Sequence, residues 1–283
     1  MLPPVVSVEN MRQSDAHTIA NKTPSAELMR RAAQGIFDAV RFTGRIAIVC
    51  GAGNNGGDGY ALACILLGHG MTPTIFRATD KFSKDGLYYY QTAIGMGAEE
   101  GSLSVPAALE GFDIVVDCLL GTGFQGEVRG AVRDAIEQIN ASSAYIISAD
   151  INSGVNGDTG AAALAVNSDL TVSIGSFKAG MFLRDAPYYI GSMRNADIGI
   201  QLLRQEYYLM DWEQLHMFEG YNAVVISEEE FIARFSHGDE PLDIPDEAAR
   251  LSNELGKTVV VKSQHAAVAA DMQFLYFCAD YII

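Results

Sequence analysis

The sequence predicts an α/β fold: a Rossmann-like doubly wound, mainly parallel sheet with helices on both faces, followed by a small C-terminal α/β appendage. Three observations carry this prediction. The apolar run Ile46-Ala47-Ile48-Val49-Cys50 leads through the glycine-rich string Gly51 to Gly59 into the helix-prone stretch Tyr60 to Leu67, which is a strand, a tight turn and a helix start. Strand-like apolar runs then alternate with helical spacings down the chain. Polar residues stand at the carboxyl ends of successive strands, at Asn54 to Asp58, at Asp117 with Gly121-Thr122-Gly123, and at Asp150 with Ser153. That is the edge at which open parallel sheets bind ligands.

The elements follow in order. Val5 to Val40 carries apolar residues at helical spacing, and Ser25 before Ala26-Glu27-Leu28-Met29 reads as a helix N-cap, so two helices precede the first strand. After the glycine loop and its helix, Thr72 to Arg77 is a second strand, Lys84 to Met96 a helix and Ile114 to Cys118 a third strand. Arg129 to Asn140 forms the next helix. Tyr145 to Ala149 and Leu170 to Ile174 are further strands, with a glycine-rich loop region between them. From residue 205 the rhythm weakens through Tyr207, Tyr208, Trp212 and the acidic run Glu228 to Glu230. A helix then opens at Pro245 and stops at Gly256, and Thr258 to Lys262 is a strand. The boundary falls near residue 204, dividing a domain over 1–204 from an appendage over 205–283.

The 283 residues, 49% of them hydrophobic, are enough for a substantial core. Lys and Arg number 19 against 35 acidic residues, a formal net charge of -16. So negative a chain disfavours nonspecific nucleic-acid binding and anionic membrane surfaces, leaving any anionic ligand to be held locally by backbone dipoles. Cys50, Cys64, Cys118 and Cys278 are scattered and form no metal-type pair, the pattern of buried, reduced thiols in a cytosolic protein. No run of about 18 apolar residues occurs, and Met1-Leu2-Pro3-Pro4 does not open a basic-then-apolar leader. A cytoplasmic protein without a membrane span is expected.

Gly51-x-Gly53-x-x-Gly56 by itself reads as a phosphate cradle. Asn54, Asn55 and Asp58 inside it exceed that need, because a carboxylate does not help to grip an anion. A redox dinucleotide site would place an acidic residue at the end of the second strand, where this chain has Phe76-Arg77-Ala78. That leaves Arg77 either to meet a ribose phosphate or to sit solvated at the surface.

The full string Gly-Ala-Gly-Asn-Asn-Gly-Gly-Asp-Gly is more specific, and with it the chain resembles the NAD(P)HX epimerase family, the YjeF N-terminal domain. Val8-Glu9-Asn10-Met11-Arg12-x-x-Asp15 with Leu28-Met29-x-Arg31-Ala32-Ala33 looks like the family's opening helices. Val116-Asp117-x-Leu119-Leu120-Gly121-Thr122-Gly123 looks like its second motif. Ala149-Asp150-Ile151-Asn152-Ser153-Gly154 with Asp158-Thr159-Gly160 looks like its third, and Ser168 to Thr171, Lys178-Ala179-Gly180 and Ala196 to Ile200 its closing pattern. The likeness spans roughly residues 5 to 203.

The resemblance implies a substrate site lined by Asn54, Asn55, Gly56, Gly57 and Asp58, with Gly121, Thr122, Gly123, Phe124, Gln125, Gly126 and Glu127 around the substrate phosphates and Asp150 at the damaged nicotinamide end. It implies a K+ ion held by Asn55, Asp117 and Ser153, oxygen donors able to offset carboxylate–pyrophosphate repulsion. The implied substrates are NADHX and NADPHX, hydrated reduced nicotinamide nucleotides whose R and S forms differ at the hydroxyl-bearing carbon. Their interconversion calls for a carboxyl group acting as general acid and base. Asp150 is the expected catalytic residue and Lys178 a second, orienting or balancing charge; the plainer reading of Lys178 is a snorkelling surface lysine. A homodimer, and a separate NAD(P)HX dehydratase as functional partner, are further expectations from the family.

Two departures stand out. Asn152 occupies the family's usual proline position and Val155-Asn156-Gly157 replaces its customary Leu-Asp-Ala, so a less rigid loop after Asp150 is expected. Many bacterial relatives continue into an ATP- or ADP-dependent dehydratase domain. Here Ala223 to Ile226, Glu230 to Arg234 and Thr258 to Lys262 look like pieces of its interior, without its nucleotide loop or catalytic aspartate before Ile283. No dehydratase activity is expected of the tail, which reads as a packing or oligomer element, a remnant, or an unrelated appendage. A non-catalytic binding module of the same fold is the alternative to the epimerase. An NAD(P)-dependent oxidoreductase rests on the glycine spacing alone.

Overall fold

Strand β2 (Ile46–Cys50) shows how the sheet is built. Its five residues are all buried, and alternate side chains go to opposite faces. Ile46, Ile48 and Cys50 join one core with helices α2 (Ser25–Ala39) and α3 (Asn54–Gly68). Ala47 and Val49 join a second core with Ala135, Ile136 and Ile139 of α5 (Gly130–Ala141). A strand covered on both faces must be apolar throughout, which is why this run lacks polar alternation.

The computed structural model describes residues 4–220, 223–236 and 242–283; Met1 to Pro3, read above as lacking a leader, lie outside them. Before β2 come β1 (Val5–Val6), α1 (Val8–Asn21) and α2. After α3 come β3 (Thr74–Arg77), α4 (Lys84–Met96), β4 (Glu99–Gly101), β5 (Ile114–Cys118), α5, β6 (Tyr145–Ala149), β7 (Ser168–Ile174), β8 (Phe177–Lys178), a 3-10 turn (Ala179–Phe182), α6 (Ala186–Tyr189) and β9 (Ile190–Ala196). Seven strands form a wholly parallel sheet in the order β4-β3-β2-β5-β6-β7-β9. The chain winds outward from β2 through β3 and β4, then returns to the other side of β2 as β5. That reversal opens a crevice at the carboxyl ends of β2 and β5. The expected doubly wound fold is present.

The rest of the chain comprises β10 (Tyr208–Leu209), α7 (Trp212–Gly220), β11 (Val224–Ser227), α8 (Glu228–Phe235), α9 (Ile244–Leu255), β12 (Val259–Lys262), β13 (Ala266–Ala270) and β14 (Leu275–Ala279). Its strands make a mixed sheet ordered β10-β14-β13-β12-β11. Pro245 lies in the first turn of α9 and Gly256 caps it in the left-handed conformation, φ 61°, as glycine at that position allows. This sheet shares a core with the first part of the chain, in which Phe182 and Phe277 rings lie 5.2 Å apart. Tyr281 donates its hydroxyl to the Met181 carbonyl at 2.8 Å, and its own carbonyl accepts from Met193 of the edge strand β9 at 2.6 Å.

Two sequence expectations need correction. Ser25 is the first residue of α2 rather than its cap: Pro24 holds the cap position and no side chain caps there. Helices are not the first elements, because Val5–Val6 pairs in parallel with Phe177–Lys178.

Candidate active site

The glycine loop ends where α3 begins, with Gly53 at the cap position and no capping side chain. The first-turn amides therefore lack intrahelical acceptors and face outward as donors, a natural anion site. The loop must be glycine on steric grounds. A Cβ on Gly56 would lie 2.2 Å from the Gly51 carbonyl oxygen, and one on Gly51 would lie 1.9 Å from that of Leu119. Neither backbone can give way cheaply.

A cleft of about 820 Å³ opens over this loop. Of the expected site residues, Asn54, Asn55, Asp58, Gly121, Thr122, Gly123, Phe124, Gln125 and Asp150 line it. Gly56 and Gly57 are buried in the first turn of α3 and do not. Gly126 and Glu127 also fall outside the lining, and Glu127 is exposed and paired with Arg129 at 2.8 Å. Arg77 is turned to other partners: it pairs with Asp80 at 3.1 Å and lies over the Phe82 and Tyr90 rings, away from the cleft lining.

Asp150 is held from three sides. Its amide donates to the Val172 carbonyl of β7 at 2.8 Å, which bends the chain into a left-handed turn, φ 68°. One carboxylate oxygen accepts from the Thr122 amide at 3.1 Å, and the other from Lys178 Nζ. Lys178 is completely buried, so the surface reading of this lysine is wrong. Its ammonium also donates to Ser173 Oγ at 3.1 Å and the Ile174 carbonyl at 2.9 Å. All three of its protons are thus used, as a buried ammonium requires. The short β1–β8 pair fixes the backbone of Lys178 opposite Val6.

Asp117 and Ser153 are fully buried and do not line the cleft. Asp117 accepts from the Leu119 amide at 3.1 Å and Ser153 Oγ at 2.6 Å on one oxygen, and from Ser148 Oγ at 2.9 Å and the Ser153 amide at 3.0 Å on the other. Burial outweighs these donors and pushes its carboxyl above the usual range. Ser153 Oγ accepts in turn from the Leu120 amide at 2.8 Å, tying the Gly121 loop to the Asp150 loop. Asn55 donates to the Leu120 carbonyl at 2.9 Å, while its Oδ1 is buried with no hydrogen-bond partner among the described residues.

Asp58 is 9% exposed, and its carboxyl makes no hydrogen bond among the described residues. Burial pushes its carboxyl well above the ordinary carboxylate range, and the charges of Asp150 and Asp15 push the same way against Lys178. Asp15, half-buried on α1, is also raised, first by burial and then by Asp150.

A family described as YjeF-related protein N-terminus matches residues 25–180. The chain belongs to this family. It is 33% identical over 203 residues to an NAD(P)H-hydrate epimerase of Limosilactobacillus fermentum, covering 70% of this chain and 98% of that one. It is 34% identical over 200 residues to an epimerase of the same name from Limosilactobacillus reuteri, covering 68% and 94%. A bifunctional NAD(P)H-hydrate repair enzyme of Methanothermobacter thermautotrophicus is 35% identical over 205 residues, but the match spans only 39% of that protein. Among solved structures, that of yeast ynu0, YNL200c, superposes with a TM-score of 0.56 at 20% identity, covering 64% of this chain and 84% of that one. At that identity the likeness speaks for the fold alone.

Within this YjeF-family cleft, one wall had no assigned role in the sequence reading. Val8, Met11, Arg12, Asp15 and Ile19 of α1 line it, and their spacing is that of one helical face. The same helix buries Asn10, Ser14 and Thr18 on another face. Asn10 Nδ2 donates to the Arg204 carbonyl at 3.0 Å, Leu203 N to Ser14 Oγ at 3.0 Å and Gln201 N to Thr18 Oγ1 at 2.9 Å. A polar stripe beside an apolar one is the signal that marks a helix packed on two sides.

Asn152, at the family's proline position, is fully buried. Its Nδ2 shares two protons among the Val166 carbonyl at 2.9 Å, Ser168 Oγ at 2.9 Å and the Tyr189 carbonyl at 2.8 Å, and its Oδ1 accepts from Thr171 Oγ1 at 2.5 Å. In place of the proline, side-chain hydrogen bonds tie this loop to β7 and α6.

Proposed function

We propose that this chain is an NAD(P)H-hydrate epimerase, interconverting the R and S forms of hydrated NADH and NADPH in nicotinamide nucleotide repair. The observation that carries this reading is Asp150, a carboxylate ion-paired to buried Lys178 and aimed into the same cleft as the open amides of α3. A redox dinucleotide enzyme needs no such anchored carboxylate beside its phosphate loop. An enzyme that moves a hydroxyl from one ring face to the other does.

The chemistry follows from the substrate. The bond between the ring carbon and its hydroxyl breaks as the adjacent ring nitrogen shares its lone pair, leaving a planar cation and water. Water then returns to the opposite face. Asp150 stabilises that cation electrostatically and takes a proton from the water that adds. Thr122, whose amide holds Asp150, belongs with Gly121, Gly123, Phe124 and Gln125 to the loop that would receive the pyrophosphate.

Asn55 fits the K+ expected of the family, because its buried, unpartnered Oδ1 is an oxygen in want of a donor or a cation. Asn55, Asp117 and Ser153 would hold the ion, which supplies positive charge against the pyrophosphate when bound. The division near residue 204 belongs to this proposal: 1–204 as the epimerase unit and 205–283 as a packing element without dehydratase activity. A homodimer in the cytoplasm, working with a separate dehydratase, completes it. No helix among the described residues is long and apolar enough to cross a membrane.

A coupled assay tests the function. With an S-specific dehydratase and pure R-NADHX, added protein should speed NADH formation beyond the spontaneous rate in proportion to its concentration. A rate independent of added protein, with the dehydratase active on the S form, would overturn it and favour a non-catalytic binding module.

A further inference from the structure

Inversion at carbon needs proton handling on both faces of the ring. A group that protonates the departing hydroxyl on one face is not placed to deprotonate water arriving on the other. Asp150 accounts for one such group, and its carboxylate is already fixed by Lys178 and the Thr122 amide.

Asp58 is chemically its opposite. It lines the same cleft from α3, more than nine-tenths of its surface is covered, and no donor among the described residues satisfies its oxygens. The groups facing it are mostly anions: Asp150 at the end of β6 and Asp15 on α1, with Lys178 on β8 the opposing cation. Asp85 of α4 and Arg12 of α1 also line the cleft, but Arg12 is engaged by Glu9 at 2.7 Å. Burial without hydrogen-bond donors, among like charges, raises the hold of this carboxyl on a proton.

We propose that Asp58 is the second acid–base residue of the epimerisation, giving its proton to the hydroxyl that leaves while Asp150 takes one from the water that arrives. The proposal rests on the epimerase reading. The carbon–oxygen bond breaks with its electrons to oxygen, which takes the Asp58 proton and departs as water. The ring nitrogen's lone pair forms a carbon–nitrogen double bond, and the ring carries the positive charge. Water adds to the other face, its proton passes to Asp150, and the double-bond electrons return to nitrogen. The net change is inversion plus one proton moved from Asp58 to Asp150. That proton returns through the solvent-open cleft, or the reverse reaction returns it directly. Two carboxyls in unlike surroundings are a recurring way of dividing acid from base.

Steady-state conversion of R-NADHX to the S form in the presence of K+ is measured for wild type, Asp58→Asn and Asp58→Glu. Asp58→Asn should lower kcat by about 100-fold or more with KM nearly unchanged, and Asp58→Glu should restore part of the loss. The wild-type kcat should fall at high pH on a limb that the residual activity of Asp58→Asn lacks. A wild-type kcat in Asp58→Asn, or a loss confined to KM, overturns the proposal. The infrared difference spectrum of substrate-free protein at neutral pH is a readout that needs no turnover. Wild type minus Asp58→Asn should contain the carbonyl stretch of a protonated carboxyl, and Asp150→Asn should retain that band. Absence of the band overturns the role of Asp58 alone. Presence of the band without any epimerase activity overturns the functional reading, and the acid–base role with it.

Discussion

The Nζ of Lys178, wholly buried, donates to Oδ1 of Asp150, a residue whose own backbone is held in the left-handed region at φ 68°. Two costs meet at this pair: a desolvated ammonium and a strained turn of about 1 kcal/mol or more. Neither would persist unless the surroundings over-determined it. Val172 fixes the turn, Ser173 and Ile174 complete the ammonium, and Thr122 takes the second carboxylate oxygen.

Removing the cation should therefore be expensive. Lys178→Met leaves Asp150 a partly buried anion without its counter-ion and should cost about 3 kcal/mol or more of stability, measured by denaturant unfolding. Adding Asp150→Asn to it should recover part of the loss, because the uncompensated charge is gone. Equal stability of Lys178→Met and wild type would contradict this arrangement.

Asp150→Asn alone separates chemistry from backbone. Asparagine tolerates the left-handed turn almost as well as aspartate, but it leaves the buried Lys178 ammonium without its counter-ion, so the variant should lose about 3 kcal/mol or more of stability while kcat of the folded protein falls about 100-fold. Asp150→Val adds a β-branched residue at positive φ and should lose stability as well.

Gly56 is constrained sterically. An alanine Cβ would sit 2.2 Å from the Gly51 carbonyl oxygen, so Gly56→Ala should push the loop apart and cost about 1–3 kcal/mol. Substrate affinity should weaken with it, because the same backbone forms the anion site. Calorimetric melting and a KM measurement check both halves.

The raised carboxyl of Asp58 also predicts a pH dependence of folding. In the unfolded chain it loses its proton near the ordinary carboxylate value, whereas the folded state keeps it to a higher pH. Between those two points the unfolded state binds fewer protons, so stability falls as pH rises through that window. Asp58→Asn should remove this fall and be the more stable protein at neutral pH. A stability–pH profile unchanged by the substitution would count against a raised Asp58.

Asn152→Ala should test the loop that follows Asp150. It strips donors from the buried Val166 and Tyr189 carbonyls and an acceptor from Thr171, for a loss of about 2 kcal/mol. Hydrogen exchange should quicken across residues 150–155 if the side chain is what ties this loop down.

Much of the fold was legible because its central strands are continuous apolar runs closed by turn residues. Ile46–Cys50, Ile114–Cys118 and Tyr145–Ala149 lie where the sequence puts them. Elements with weak local signals were missed. Ile190–Ala196 contains Arg194 and Asn195 because it lies at the edge of the seven-stranded sheet, and Ala266–Ala270 is a strand made of residues with little β-preference, paired on both sides. The two-residue strand Val5–Val6 exists only through Phe177–Lys178, more than 170 positions away.

The site divides the same way. Asn55, Asp58, Thr122 and Asp150 could be placed at one crevice because each follows a strand of the same parallel sheet. The burial of Lys178 could not, since no neighbour in sequence announces Asp150 as its partner. Nor could the contribution of α1, whose cleft-facing Asp15 looks from the sequence like a solvated helix residue.

Chromatographic separation of the R and S forms of NADHX over time, with wild type and Asp150→Asn side by side in the presence of K+, decides whether the protein is an epimerase. Wild type should carry pure R-NADHX to the equilibrium mixture well ahead of the spontaneous rate, and the variant should lag far behind it. A wild-type time course that overlays the protein-free control would contradict the account.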